Sequence, residues 1–524
     1  MRLLTAALAA MAGLLLLSGP VQAQDWHRAE TAHFIVKSRD SAEATRAFAA
    51  TMELYDRNLR FLMGLPEDHV EASKSNKPVI YRFGDNIDIS RTYDRGDAGL
   101  AGFFIGRAGA SVAFAPARYT RSNSTGQRTD RTQSIEQVLL HEYTHYFMLM
   151  NYPAAYPRWY SEGYAEMMST MRFLPDGRFH LGDPPQARGW IIADMPLSRL
   201  DEMLDDDRQL TGYAAFQHYA SGWLFAHYLS FNPDREAKLR EFLAALGQGE
   251  DSLTAARRIF GDLDAMQREL VRYRRGPFPG YDVRPNVTTP VQVTVTPMSP
   301  EEEALVVSEY TLAAGVTPDE ARDVARRLRT LVQTYPDSGW AHTLLAEAEH
   351  DSKNYPAGEA AAARAVELDP TNIRAWVYRA YNAIEMGKTD PAQFDLARAH
   401  LQRARRLDAE DPRPLIAYYR SYYEQTGGAN IPEQAIVALE QAMDESGNDF
   451  EFRILLGRQL AMEERFAEAR TVLLPSLYGG HAFEQPDEED EFTPERLFAA
   501  LDAQDRTRAL EMLNKLLEPD DDET

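Results

Sequence analysis

The sequence predicts an α+β domain followed by an all-α solenoid of helix pairs, and three observations predict it. From residue 24 to 275, short alternating apolar strands give way to segments of helical periodicity. Gly276 to Pro300 is rich in Pro and β-branched residues and reads as a linker. Past it every segment reads as helix, and Thr334-Tyr335-Pro336-Asp337 recurs as Leu368-Asp369-Pro370-Thr371, 34 residues later.

In chain order, Met1-Arg2, an apolar stretch from Leu3 to Leu17, and Val21-Gln22-Ala23 have the three parts of a cleavable signal peptide over residues 1–23. Cleavage after Ala23 would deliver the protein to a periplasm or to the medium. The rival is an uncleaved anchor, although the stretch is shorter than the roughly 20 residues a membrane span prefers. No later segment reads as a span. Trp26 to Val36 ends in a strand, Ser41 to Gly64 repeats apolar residues at helical spacing, and Lys77 to Phe83 is strand-like. Ser111 to Phe114 is a short strand after a Gly-rich stretch. Thr132 to Leu149 turns helical, with Thr132 or Ser134 as N-cap. Tyr213 to Phe231 and Arg235 to Leu246 are helices broken by Asn232-Pro233-Asp234. The linker, 276–300, carries one edge strand at Val291 to Val295 that returns to the first domain. Residues 301–480 read as helical repeats, with small residues where two helices must pack closely and Pro where the second must stop. Residues 481–524 read as an acidic loop, Phe483 to Phe492, and a capping helix pair.

A chain of 524 residues has room for two or three cores, and 44% hydrophobic content excludes wholesale disorder. A formal charge of -24, with no basic run, argues against nucleic acid as a partner. With no cysteine there is no thiolate metal site and no disulfide framework, so any metal must be held by His and carboxylate.

Residues 141 to 145 read His-Glu-Tyr-Thr-His. Residues four apart share a helix face, so His141 and His145 can place two imidazoles on one tetrahedral ion. Glu142 then points near the open position, where it can take a proton from water. Glu162, in Pro157-Arg158-Trp159-Tyr160-Ser161-Glu162-Gly163-Tyr164-Ala165-Glu166, supplies the third protein ligand that a catalytic zinc requires. Glu166, one turn on, can accept a hydrogen bond from the far nitrogen of a ligand histidine.

With these residues in place, the segment from Trp26 to about 275 resembles the gluzincin metallopeptidases, and especially the bacterial peptidase-MA-like group often joined to tetratricopeptide repeats. Residues 303 to 480 are similar to such repeats in period and in the placing of small residues. The resemblance implies a zincin-like α+β fold and one Zn2+ per chain on His141, His145 and Glu162. It implies that Glu142 activates water and that Glu166 supports a ligand from behind. It further implies that the substrate main chain lies along an edge strand, for which Ser111, Val112, Ala113 and Phe114 are in the right place. A downstream tyrosine would stabilise the oxyanion. His218-Tyr219-Ala220-Ser221-Gly222-Trp223 fits, with Tyr219 either as that group or as a core residue packed with Trp223 and Tyr228, and Gly222 where a bulkier residue is expected.

The function expected is an exported zinc peptidase acting on a protein or peptide, with a further protein partner on the repeats. The rival is a non-catalytic interaction protein built on a zinc-stabilised scaffold, and hydrolysis of a non-peptide amide also fits. His218 and His227, in an aromatic-rich helix, are expected to be core or supporting groups; His33, His69, His180 and His400 are expected to be solvated. His342 and His350 have a spacing that does not suit a shared metal.

Overall fold

The computed structural model describes residues 26–66, 72–85, 102–109, 111–118, 135–205, 212–478 and 493–517. The expected signal peptide, His69, the Thr132 and Ser134 caps and the acidic loop lie outside them. The protein is mostly helical, with one small mixed sheet.

That sheet has six strands: β1 (His27–Glu30), β2 (Ile35–Ser38), β3 (Val79–Asp85), β4 (Phe103–Ile105), β5 (Val112–Arg118) and β9 (Thr294–Pro297), in the order β4-β5-β3-β2-β1-β9. β2, β3 and β5 run parallel; β4, β1 and β9 pair antiparallel to their neighbours. A smaller antiparallel sheet holds β6 (Arg172–Phe173), β7 (Phe179–Leu181) and β8 (Tyr281–Val283). The stretch 276–300 therefore contributes a strand to each sheet and is not a free tether.

Strand alternation sends Val36, Ile80, Ala113 and Ala115 to one face, where they meet α1 (Ala42–Leu62) and α2 (Ile135–Asn151). Ser41 caps α1 through the Ala44 amide. α1 fixes the rotation of α2: the Tyr55 hydroxyl is 2.7 Å from that of Thr144, and Tyr143 donates to Asp56 at 2.7 Å. With Tyr143 and Thr144 turned to α1, the 100° step of the helix turns 141 and 145 elsewhere. Then follow α3 (Arg158–Ser169), α4 (Gly189–Asp194), α5 (Leu200–Met203), α6 (Gly212–Ser230), α7 (Pro233–Gly247), α8 (Ser252–Phe260) and α9 (Leu263–Tyr273).

From residue 300 the described residues form six helix pairs: α10 (Pro300–Ala314) with α11 (Pro318–Thr334), α12 (Gly339–Asp351) with α13 (Tyr355–Leu368), and α14 (Ile373–Gly387) with α15 (Ala392–Leu407); then α16 (Arg413–Thr426) with α17 (Glu433–Gln441), α18 (Phe450–Met462) with α19 (Phe466–Tyr478), and α20 (Pro494–Asp502) with α21 (Arg506–Lys515). Reciprocal capping boxes at Ser299/Glu302 and Thr317/Glu320, each followed by Pro, start α10 and α11.

The array does not stand apart. Tyr81, Phe83, Val112 and Phe114 point to the second face of the sheet and pack with Trp26, Met298, Val306 and Ala313, so α10 covers that face. Burying each large side chain there contributes roughly 1.5–3 kcal/mol. Glu309 of α10 receives Lys37 Nζ at 2.5 Å and the Tyr81 hydroxyl at 2.8 Å. On the other side of the array, Asn448 donates to Ser111 Oγ at 2.9 Å, and the Ala108 amide donates to Asp449 at 2.7 Å.

Candidate metal centre

α2 and α3 bring His141, His145 and Glu162 together. His141 Nε2 lies 3.1 Å from Glu162 Oε2 and 3.1 Å from His145 Nε2, and His145 Nε2 lies 3.6 Å from the same carboxylate oxygen. Among the described residues this is the one His/Cys/Asp/Glu group of three with donor atoms gathered within 4.8 Å. His141 is 5% exposed and Glu162 2%, so the cluster is withdrawn from water. Burial works against the imidazolium of His141, yet contact with Glu162 outweighs it and holds that histidine above its ordinary value.

The donor set fits zinc. Bonds of about 2.0–2.1 Å from a tetrahedral ion put neighbouring donors about 3.3–3.4 Å apart, and the three observed separations bracket that distance. Ser161 Oγ lies 3.0 Å from His145 Nδ1. With that nitrogen protonated and donating to Ser161, Nε2 turns its lone pair toward the other two donors.

Glu142 lines a cavity of about 100 Å3 together with His145, Phe104, Tyr146 and Ser161. It therefore faces the space beside the cluster while its neighbours on the helix form it. The Tyr219 ring lies 6.2 Å from that of His141, centroid to centroid. Burial, then the Glu162 and Glu142 carboxylates, push its phenol far above the ordinary value, so it stays protonated.

Gly222, odd in the sequence, has a steric reason. A Cβ at Gly163 would stand 2.3 Å from the Gly222 carbonyl oxygen, and one at Gly222 would stand 2.7 Å from the Trp159 carbonyl oxygen. α3 and α6 thus cross backbone to backbone, which carries Tyr219 up to the residues around Glu162.

Other expectations need correcting. Glu166 does not support a ligand histidine: its Oε1 accepts from Arg188 Nε at 2.9 Å, while its Oε2 and His141 Nδ1 are both buried without a hydrogen-bond partner among the described residues. A cation immediately before α4 outcompetes the imidazole for the carboxylate; the same guanidinium sits over the Tyr219 ring at 5.1 Å. Ser111, Val112, Ala113 and Phe114 are not an edge. Ser111 accepts from the Val79 amide, and Val112 to Phe114 pair with β3 on one side and β4 on the other. The edge on this side of the described sheet is Phe103–Ile105, whose Phe104 ring packs on Tyr146 at 4.6 Å. His33 is buried, not solvated, with Nδ1 2.6 Å from Glu53 Oε1. His218 and His227, by contrast, are core groups as expected: His218 is buried, and burial first, then Arg158, push it down to about 4. His227 is fully buried, stacked on Phe231 at 4.0 Å with Nδ1 2.9 Å from the Tyr273 hydroxyl.

Sequence reasoning missed Ser161, Arg188 and the residues that the helical array lends to this site, Asn448 and Phe450, which line the same cavity as Glu142. Ser161 was readable: it precedes Glu162 on a helix whose start is marked by Pro157. Asn448 and Phe450, some 300 positions away, left no local signal.

No family model matches this chain, and no curated protein matches it. A solved structure, the MamA RS-1 ArsTM double mutant, aligns over 34% of this chain and 93% of its own, at 16% sequence identity and a TM-score of 0.26.

Proposed function

We propose that this chain is a zinc-dependent peptidase, with a zincin-like first region and tetratricopeptide-type helix pairs after it. The observation that carries the reading is the spacing of His141, His145 and Glu162, three donors at tetrahedral separations in a buried site.

When bound, zinc supplies Lewis-acid polarisation of the scissile carbonyl and acidifies a water molecule. Every other task falls to the chain. His145 is oriented by Ser161, and Glu162 offers a carboxylate that burial keeps dry. Glu142 takes the proton of the attacking water and delivers it to the nitrogen of the leaving amine. The Tyr219 phenol, held protonated, donates to the carbonyl oxygen as it gains charge. The main chain of the substrate pairs with the edge at Phe103–Ile105, which binds peptides with little dependence on side chains. Its amino-terminal residues support export of the protein.

Glu142→Gln removes the base and keeps the ligands. The purified variant should hold one zinc per chain by elemental analysis while peptide cleavage falls at least ~100-fold. Undiminished turnover in a zinc-loaded Glu142→Gln protein would refute the assignment.

A further inference from the structure

A second cavity, of about 810 Å3, lies between the outer face of the sheet and the helical array, in the size range of ligand sites. Lys37, Tyr81 and Val112 line it from the sheet; Arg374, Tyr378, Tyr381, Arg413 and Arg420 line it from the array. It touches the metal-site cavity, because Gly106 and Phe450 line both. Gly106 is pressed against the array, where a Cβ would meet the Asn448 carbonyl oxygen at 2.5 Å. The array therefore turns the corner of the sheet at β4, with the metal on one face of that edge and this chamber on the other. Phe104 lines the metal cavity and Ile105 the chamber. A strand added to β4 would likewise send alternate side chains to the two sides.

The chamber's chemistry is not that of the whole chain. The chain carries a formal charge of -24, yet seven Lys and Arg against five Asp and Glu line the chamber. Arg374, Arg413 and Arg420 are paired with Glu347, Asp411 and Glu451, whereas Arg107 has no salt bridge among the described residues. Glu347 is 4% exposed; its Oε1 holds Arg374 at 2.5 Å, and its Oε2 is buried without a hydrogen-bond partner among the described residues. A polypeptide main chain brings N–H groups for that oxygen, and acidic side chains answer the cationic excess.

We propose that the chamber binds an acidic stretch of the polypeptide whose adjoining residues lie at the metal. Its carboxylates meet Arg107 and the guanidiniums on the array, and a main-chain N–H meets Glu347 Oε2. This rests on the peptidase reading, and the two can fail separately.

The test uses full-length, zinc-loaded Glu142→Gln protein and three fluorescein-labelled peptides of one length. They share a Leu-rich half and carry a run of Glu, Gln or Lys in the other half, placed at either end. By anisotropy the Glu peptide should bind about tenfold or more tighter than the Gln peptide and lose that advantage in high salt. Arg420→Glu should abolish the preference, and Arg107→Gln, a milder change, should reduce it if the first variant misfolds. In the otherwise wild-type chain, neither substitution should alter cleavage of a short peptide ending at the metal cavity. Equal binding of the Glu and Lys peptides, or an intact preference in both folded variants, overturns the proposal. Should wild-type protein cleave nothing while the Glu preference and its loss in Arg420→Glu persist, the peptidase reading falls and the chamber stands.

Discussion

The helix pair α2–α3 and the pairs of the array both bury titratable groups, but they treat them differently. In the array three buried carboxylates each have a cation: Glu349 is held by Arg329 at 2.7 Å, Glu347 by Arg374 at 2.5 Å, and Asp411 by Arg413 at 2.6 Å. Its half-buried His350 is satisfied singly, Nδ1 lying 3.1 Å from Asn382 Oδ1. Between α2 and α3, two imidazole nitrogens and a carboxylate converge on one another. Buried charge costs several kcal/mol unless compensated. Where a guanidinium meets each carboxylate, the group is structural; donors gathered toward one point are the arrangement that the zinc proposal calls for.

That contrast can be broken most sharply by exchanging a carboxylate on each side. Glu162→Gln should lower zinc affinity by more than the ~10–100-fold that orienting partners cost, read by competition with a chromogenic chelator. Glu349→Gln should leave zinc binding unchanged and cost about 1–3 kcal/mol in urea unfolding. Equal effects on zinc would erase the distinction.

The close helix crossings offer the next comparison. Gly222→Ala sets a methyl against a backbone carbonyl and should destabilise by about 1–3 kcal/mol. In the array, the nearest atoms a Cβ at Gly358 would meet belong to the Asn382 side chain, at 2.5 Å. Gly358→Ala should therefore shift the melting midpoint less than Gly222→Ala, because a side chain can rotate and a carbonyl in a helix cannot. The smallest effect is expected at Ser161. Ser161→Ala keeps all three donors and frees only one ring, so zinc affinity should fall about tenfold. No change would show that His145 needs no support.

The legibility of the site followed the range of the interactions. His141, Glu142 and His145 belong to one turn of one helix, so spacing alone placed them, and Glu162 came from the next helix with a Pro157 start. The substrate edge was misplaced because a three-residue strand, Phe103–Ile105, covers the segment read as the edge, and a Gly-flanked run that short gives little periodicity. Glu166 was assigned by position, but Arg188 reached it first. The packing of α10 on the sheet did have a signal. Leu305, Val306, Val307, Tyr310 and Leu312 spread around more than half of the helix instead of forming one narrow stripe, the pattern of a helix buried on more than one side. Read as one more repeat, it concealed the contact between the two halves.

The pairing of β1 with β9 has a consequence for how the nascent chain acquires its shape. The Trp26 amide bonds a carboxylate 277 positions later, at Glu303, and the strand beside it comes from the far end of the first region. A polypeptide emerging from its amino terminus can pair that first strand with β2 at once, but must leave its other edge open until β9 arrives about 270 residues later. Closure over so long a span is slow. The sheet is thus sealed late in synthesis, and any stall before residue 297 leaves an open strand edge for chaperones to guard.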